Sequence, residues 1–341
     1  MQHRSDDVSK FIIQNVESHS ADISRVTQVK FGISRQAVNR YLRKLSDAGK
    51  IDPEGKTRQR NYKILPIEKA SFTLQVDRNL KEDDVWRNRV RPLLNNLQEN
   101  VLRICEHGFS EIMNNVIDHS ESKTVYDEID VYPNKIAMVI LDKGVGIFKK
   151  IAGALNLEDE RLVALELSKG KLTTDTVHHS GEGIFFTSRM FDEFSILSGD
   201  LFLQISGRDN WLLESKEENF KGTIVSMTIN TSTRRTIKEV FNRFAGPEND
   251  YTFSKTHFPV HLAKIGDENL ISRSQSKRLL TRLEPFKEVF LDFEGVDIIG
   301  QAFADEIFRV FQNAHPEIEI IQVKANKNIR NIIKRVKVGN L

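Results

Sequence analysis

The sequence predicts a multidomain α+β protein, and three observations support this fold class. The chain has 341 residues, enough for two or three units that each bury a core. Helical and strand-like hydrophobic patterns alternate along its length. Charge is uneven, because residues 1–66 carry thirteen Lys and Arg against seven Asp and Glu, whereas the rest of the chain is slightly acidic. The domain boundaries that we predict are 1–66, 67–232, a connector at 233–252, and 253–341.

Composition favours a cytoplasmic protein without membrane spans. Apolar residues make up 39% of the chain and charged residues 29%, and the longest aliphatic run, residues 136–141, is too short to cross a bilayer. The N-terminus lacks the apolar segment of a secretory signal, and the only cysteine, Cys105, cannot form an intrachain disulfide. Cys105 lies within an apolar pattern, so we expect a buried structural thiol.

Residues 1–66 predict three helices followed by a basic hairpin. The third helix begins after Ser34, which is a suitable N-cap, and two short strands then flank a Pro-Glu-Gly turn. This order resembles the winged helix-turn-helix family, in which the third helix enters the major groove of double-stranded DNA. A protein-docking role is the alternative. The residues to which the resemblance assigns DNA contact are Ser34, Arg35, Gln36, Asn39 and Arg40 on the helix, and Arg58 and Arg60 in the wing.

The segment GFSEIMNNVIDHS, residues 108–120, predicts a helix with three polar side chains on one face. Glu111, Asn115 and His119 recur every fourth residue, so they stand one above another. An Asn oxygen can ligate Mg²⁺ on the phosphates of a nucleotide, and a carboxylate one turn away can orient a water molecule. The same pair also suits a solvated helix face, so the motifs that follow decide its interpretation.

Glycine-containing motifs follow this helix in a fixed order. In LDKGVGI, Asp142 ends a predicted strand and can accept a hydrogen bond from an exocyclic amine such as that of adenine. A mobile-looking segment, residues 148–180, leads to SGEGIFFTSRMF, where a helix N-terminus can bind phosphate oxygens. Later, Gly222 and Thr223 open a strand in KGTIVSMTIN, with the Thr hydroxyl available to a nucleotide.

This order of motifs, over about residues 72–230, resembles the GHKL ATPase superfamily of gyrase, heat-shock chaperones, histidine kinases and mismatch-repair ATPases. The resemblance implies the Bergerat fold, an α/β sandwich in which helices cover one face of a mixed sheet and ATP lies under a flexible lid. It assigns the general base to Glu111, the Mg²⁺ ligand to Asn115 and adenine recognition to Asp142. The other ATP-binding residues that it implies are Gly144, Gly146, Gly181, Gly183 and Thr223.

Three histidines lie near these motifs. His119 matches a family residue that more often packs or hydrogen-bonds than reacts. His178 and His179 adjoin the glycine motif, where either one meets the terminal phosphate or both are simply exposed. The chain shows no upstream dimerising helix with a phosphoacceptor histidine, so two-component signalling is disfavoured.

Residues 253–341 predict a small α/β domain with largely buried strands. The segment VFLDFEGVDIIGQAFADEIFRVF resembles the STAS-like domain, which is related to the antagonists of anti-sigma factors. In those antagonists a GHKL kinase phosphorylates a serine at the start of the helix, but residues 291–311 contain no Ser or Thr. We therefore expect this domain to dock a protein partner or sense nucleotide. Asp292, Asp297 and Gly300 either contact that partner or cap the next helix.

Two functions remain open from the sequence. The first is an ATP-binding, slowly hydrolysing, Mg²⁺-dependent regulator whose nucleotide state controls DNA binding, with a second copy of the chain as a further candidate partner. The second is a serine/threonine protein kinase that acts on the STAS domain of another chain. A structural adaptor with a vestigial site is the least favoured reading, because Glu111, Asn115 and Asp142 are all present.

Overall fold

Two hydrophobic cores organise the chain, which is a multidomain α+β protein. The computed structural model describes residues 2–55, 60–172, 182–206, 209–214, 220–246, 252–266 and 268–338. The N-terminal unit has a core of its own, whereas the central and C-terminal units share a continuous one. None of the helices in these ranges combines the length and the apolar character needed to cross a bilayer.

The N-terminal unit consists of three helices and a hairpin, as predicted, but Pro53 and Glu54 pair within the first strand instead of forming the turn. Ser34 caps the third helix, because its hydroxyl oxygen accepts a hydrogen bond from the Ala37 N–H at 3.2 Å. That helix buries Val38, Leu42 and Leu45 against the other two. The elements are α1 (Gln2–Asn15), α2 (Ile23–Phe31), α3 (Arg35–Asp47), β1 (Ile51–Glu54) and β2 (Asn61–Ile64), and the two strands are antiparallel.

A seven-stranded sheet forms the centre of the molecule, in the order β3-β4-β5-β9-β6-β7-β8. Every pairing in it is antiparallel, so the mixed sheet that we expected is not found. The cause is connectivity, since hairpins or long helical excursions return each strand beside its neighbour in the opposite direction. The strands are β3 (Glu68–Gln75), β4 (Thr124–Val131), β5 (Lys135–Asp142), β6 (Glu193–Gly199), β7 (Leu201–Ser206), β8 (Asp209–Glu214) and β9 (Phe220–Asn230).

Helices cover one face of this sheet. The long helix α5 packs on it through Ile112, Met113 and Val116, while alternate residues of β4 and β5 point towards the helices. The helical pattern that precedes α5 is broken around residues 94–98, close to the predicted interruption at Pro92. The helices are α4 (Glu82–Val85, extended by irregular turns to Leu93), α5 (Glu99–His119), α6 (Ile147–Leu155), α7 (Leu162–Lys169), α8 (Gly183–Met190) and α9 (Ile237–Phe244).

The segments predicted as a mobile-looking stretch, residues 148–180, and as a connector, residues 233–252, both contain helices that pack in the core. The described part of the expected lid, up to residue 172, contains α6 and α7, and all eight residues of α7 are buried. In the expected connector, α9 begins with a capping box between Thr236 and Glu239 and buries Val240 and Phe244.

The C-terminal unit alternates strands and helices, as predicted. Its three strands are parallel in the order β10-β11-β12. The elements are β10 (Lys255–Pro259), α10 (Arg273–Leu280), β11 (Glu288–Asp292), α11 (Gln301–Asp305), α12 (Gln312–Ala314, joined to α11 by a π-helical stretch), β12 (Glu319–Val323) and α13 (Lys327–Val338).

The N-terminal unit rests on the turn between β4 and β5. Tyr132 packs against the N-terminal core, and the Asn134 side-chain amide donates a hydrogen bond to the Ile13 carbonyl at 3.3 Å. Lys135 forms an ion pair with Glu17 at 2.7 Å. Because β5 begins at this turn and ends at Asp142, the N-terminal unit is attached about 24 Å from that residue.

Candidate functional site

A cavity of about 300 Å³ opens between α5, α6, α7 and α8 above the ends of β5 and β9. This volume is at the lower end of the range for small-molecule sites. Its walls are mostly apolar, with a few polar groups that converge from different elements. The polar, charged and glycine residues that line it are Glu111, Asn115, His119, Ser120, Asp142, Gly146, Lys150, Gly183 and Thr223.

Helix α5 supplies one wall of the cavity. Glu111, Asn115 and His119 all line it and are half-buried, whereas Ile112 and Val116, also in the lining, are buried. The four-residue spacing therefore brings the three polar side chains to the same space, as the sequence predicts. A carboxylate and an amide oxygen one turn apart can bind a hard cation or orient a water molecule there.

The opposite wall is built where β5 and β9 run side by side. Asp142 is 3% exposed and is the cross-strand neighbour of Thr223. Its Oδ1 accepts a hydrogen bond from the Gly144 N–H at 2.7 Å, and the Thr223 hydroxyl oxygen accepts one from the Ile147 N–H at 3.1 Å. Burial raises the pKa of the Asp142 carboxyl, while hydrogen bonding from Gly144 and Thr223 opposes this shift. A carboxylate fixed in this way can accept a further hydrogen bond from an amine.

Two predicted glycines are needed for close packing. A Cβ on Gly144 would lie 1.9 Å from the carbonyl oxygen of Ser120, so only glycine lets this loop lie against the end of α5. Gly144 is therefore behind the cavity rather than in its lining. A Cβ on Gly183 would lie 2.0 Å from Oε2 of Glu111, which shows that this carboxylate lies directly against the N-terminus of α8.

The remaining predicted residues of this region have different outcomes. Gly146 lines the cavity and caps the N-terminus of α6 with a φ of 84°. Gly181, His178 and His179 lie outside the described residues. Glu111, Asn115, Asp142, Gly146, Gly183 and Thr223 are thus brought together around one space, with Gly144 supporting it.

Lys150 was missed by the sequence analysis. It lines the cavity from α6, and its ammonium donates to the His119 carbonyl at 2.5 Å and lies 3.3 Å from Glu121. A cation at the C-terminus of α5 is favoured by the helix dipole. The apolar spacing of residues 147–155 is a helix signal, but the stretch falls largely within the segment predicted to be mobile, residues 148–180.

A buried carboxylate lies behind the cavity wall. Asp127 on β4 is fully buried, and neither of its carboxylate oxygens has a hydrogen-bond partner in the described part of the chain. Its cross-strand neighbours are Phe72 and Ile140, and Ile140 also lines the cavity. Burial raises the pKa of Asp127 to about 7.

Replacing Asp127 with asparagine is expected to flatten the pH dependence of stability. The folded-state pKa exceeds the unfolded value of 3.8, so this group destabilises the fold progressively as pH rises from about 4 to about 7. The full penalty is about 4 kcal/mol, at 1.36 kcal/mol per pKa unit. Urea unfolding followed by fluorescence should give equal stability for Asp127→Asn and the wild type near pH 4 and a more stable variant at pH 8. Asp118→Asn, at an exposed position, is the control. A difference in unfolding free energy between Asp127→Asn and the wild type that stays constant across pH would contradict the prediction.

The predicted DNA-binding residues that the structure describes are exposed to solvent. Arg35, Gln36, Asn39 and Arg40 face solvent on α3, opposite its buried side, and Arg60 is exposed before β2. Ser34 is also exposed and serves as the N-cap already described. Arg58 lies outside the described residues.

Comparison with known families bears on the C-terminal unit. Residues 275–330 match a family described as a STAS-like domain of unknown function (DUF4325). The C-terminal unit contains a STAS-like domain. This confirms the C-terminal resemblance, and the matched segment runs from α10 into α13. A search of curated proteins found no match to the chain.

Within the C-terminal unit, internal contacts occupy two of the three residues singled out above. The Asp292 carboxylate is bound by His257 Nε2 at 3.2 Å and Lys324 Nζ at 2.9 Å, and it also accepts from the Glu294 N–H at 2.9 Å. Gly300 caps α11 and donates its N–H to the Leu270 carbonyl at 2.8 Å. These contacts favour the structural reading for both residues. Asp297 is exposed.

Proposed function

We propose that the central unit is a GHKL-type ATP-binding module and that the chain is an ATP-hydrolysing regulator whose nucleotide state controls DNA binding. One observation carries this proposal: the Asp142–Thr223 pair and the Glu111–Asn115 helix face line the same cavity. In the sequence these pairs are far apart, and the resemblance requires them to meet around one nucleotide. An apolar pocket with a few convergent polar groups is also the usual form of a small-molecule site.

The residues fit the groups that Mg²⁺·ATP would present. Asp142 is buried and offers acceptor oxygens for the exocyclic amine of adenine. The N-terminus of α8, which begins at Gly183, offers backbone N–H groups and a positive dipole end for phosphate oxygens. Lys150 adds a positive charge to the lining. Asn115 supplies the hard oxygen ligand that Mg²⁺ prefers, and the bound ion would neutralise phosphate charge.

Glu111 is the residue suited to act as general base. Its carboxylate lies against the N-terminus of α8, and Asn115 is one turn further along α5. A phosphate held by that N-terminus would therefore be adjacent to Glu111. From there the carboxylate can orient a water molecule and accept its proton.

Calorimetric titration of the full chain tests the proposal. We expect heat on adding ATP in the presence of Mg²⁺ and a large loss of affinity when EDTA removes the metal. GTP should bind much more weakly. Its ring carries an oxygen at the position where adenine has the amine that would donate a hydrogen bond to Asp142. No heat with Mg²⁺·ATP, or equal affinity for GTP, would contradict the assignment of this cavity.

We propose that the N-terminal unit is a winged helix-turn-helix domain and that it binds duplex DNA. The support is an exposed, basic face of α3 followed by an antiparallel hairpin. The concentration of positive charge in residues 1–66 suits contact with the phosphates of a nucleic acid.

Replacing Arg40 and Arg60 with glutamate is expected to weaken duplex binding by at least about tenfold at low salt. Each exposed guanidinium removed from a phosphate also lowers the slope of log affinity against log salt by about one. Fluorescence anisotropy with labelled duplex at several salt concentrations measures both quantities. Lys327→Glu with Lys334→Glu, on exposed positions of α13, makes the same charge change as a control. Unchanged retention of DNA by the first variant would favour a protein-docking role instead.

A protein kinase of the anti-sigma-factor type is the second candidate function, because the chain contains a STAS-like domain next to the proposed ATP site. The domain of this chain is itself a poor acceptor, since residues 291–311 lack Ser and Thr. The substrate would therefore be a STAS domain on another chain. Incubation with γ-labelled ATP separates the two functions: release of free phosphate alone supports the ATPase, and label on a protein supports the kinase.

A further inference from the structure

Helix α7 has the cavity on one side and the STAS-like domain on the other. Leu167 in this helix and Leu172 just after it line the cavity. The same helix packs on β10 and on the turn that follows it. All of its residues are buried, so it has no face that could move freely in solvent.

Lys169 fastens α7 to the STAS-like domain. Its ammonium pairs with Glu166 at 2.7 Å, and the two side chains are 1% and 5% exposed. The same ammonium donates to the carbonyls of Arg278 and Thr281, at the end of α10, at 3.2 and 2.9 Å. In return, the Thr256 hydroxyl of β10 donates to the Lys169 carbonyl at 2.7 Å. Withdrawal of α10 would leave a buried ammonium with unsatisfied donors, which is costly.

Arg189 ties α8 to the same junction. Its guanidinium donates to the carbonyl of Ser168 in α7 at 3.0 Å and to that of His257 in β10 at 3.3 Å. It also stacks on the Phe185 ring at 3.5 Å, and Phe185 lines the cavity. Three elements, two of which form cavity walls, are therefore joined through one side chain.

A series of phenylalanine rings makes a second connection. Phe185, in the cavity wall, lies 4.6 Å from the Phe253 ring, measured between centroids. Phe253 in turn lies 5.3 Å from Phe286, which belongs to the STAS-like domain. Because buried rings of this kind are close-packed, a shift of the first requires an adjustment of the others.

We propose that the STAS-like domain responds to ligand in the cavity. Ligand binding is coupled to the packing of this domain on α7 and α8, and Lys169 and Arg189 are the positioning residues. The proposal rests on ATP as the ligand, as put forward above, and adds the element that responds to it. A ligand that presses on Leu167 or Phe185 displaces a helix whose other contacts belong to the STAS-like domain. By reciprocity, a change that loosens the contact of that domain with α7 and α8 lowers the affinity for the ligand by the same factor.

Hydrogen exchange on the full chain, with and without Mg²⁺·ATP, tests this coupling. We expect slower amide exchange in β10 and α10, neither of which contributes a residue to the cavity lining. Thr256→Val removes the hydroxyl that bonds α7 while keeping its shape. It should lower ATP affinity at least about fivefold, the lower end of usual coupling factors, and reduce the protection of α10. Thr73→Val, at an exposed position of β3, is the matched control.

The outcomes distinguish this inference from the proposed function. If ATP binds but protection is confined to the cavity walls, or if Thr256→Val binds ATP as the wild type does, the coupling is overturned and the ATP assignment stands. If ATP gives no heat, the proposed function fails. The coupling between the cavity and the STAS-like domain is then tested without nucleotide, by hydrogen exchange on Leu167→Ala. This cavity-side change should speed exchange in α10. Unchanged exchange there would overturn the inference.

Discussion

Replacing Asn115 with alanine is expected to abolish Mg²⁺-dependent ATP binding, lowering affinity by about a hundredfold or more. The side-chain oxygen would be lost as the metal ligand, and alanine has no group to replace it. Asn115 is half-buried in the cavity wall, so its removal leaves no void in the core and the fold should be retained. Calorimetric titration with Mg²⁺·ATP measures the loss, and circular dichroism checks the fold.

The chain offers a matched control for this substitution. Asn114 precedes Asn115 on α5 but does not line the cavity, so Asn114→Ala should bind ATP as the wild type does. A further comparison removes the metal from the wild-type titration. If Asn115→Ala and the wild type show the same dependence on Mg²⁺, the metal is held by other residues and the assignment of Asn115 is wrong.

Replacing Glu111 with alanine is expected to slow ATP hydrolysis by about a hundredfold or more while leaving ATP affinity nearly unchanged. General-base groups usually contribute factors of this size to the chemical step. The carboxylate lies against Gly183 rather than beside Asp142, so adenine recognition should not depend on it. Release of phosphate at saturating ATP measures turnover, and calorimetry measures binding in the same preparation.

Two variants strengthen the Glu111 experiment. Glu111→Gln keeps the size of the side chain and its contact with α8 but removes the basic group, so it should lose turnover equally. Glu106→Gln, at an exposed position of the same helix, should hydrolyse ATP at the wild-type rate. Hydrolysis at the wild-type rate in both Asn115→Ala and Glu111→Ala would refute the proposed site.

Local patterns were sufficient to predict most elements and the cavity residues on α5. The apolar spacing of 101–116 and the four-residue repeat of Glu111, Asn115 and His119 come from a single helix, so one periodicity determines both. The strand–turn–strand pattern of β4 and β5 was equally clear. Asp142 was placed correctly at a strand end for the same reason.

What the sequence could not supply depends on long-range packing. Helix α7 contains Glu166 and Lys169, which resemble surface residues until their pairing inside the junction is seen. The antiparallel order of the central sheet is set by where the chain returns after long excursions, and no local pattern encodes that return. The role of Lys150 likewise depends on α6 lying beside the end of α5.

The connection between β2 and β3 has a mechanical consequence. Only Leu65, Pro66 and Ile67 separate the two strands, and the Ile67 N–H already donates to the Val131 carbonyl at 2.7 Å. This short connection, together with the contacts of Asn134 and Lys135, holds the N-terminal unit against the central sheet. The N-terminal helices and the central sheet are therefore joined without a flexible linker, so a duplex held at α3, as proposed above, would keep a fixed orientation relative to the sheet.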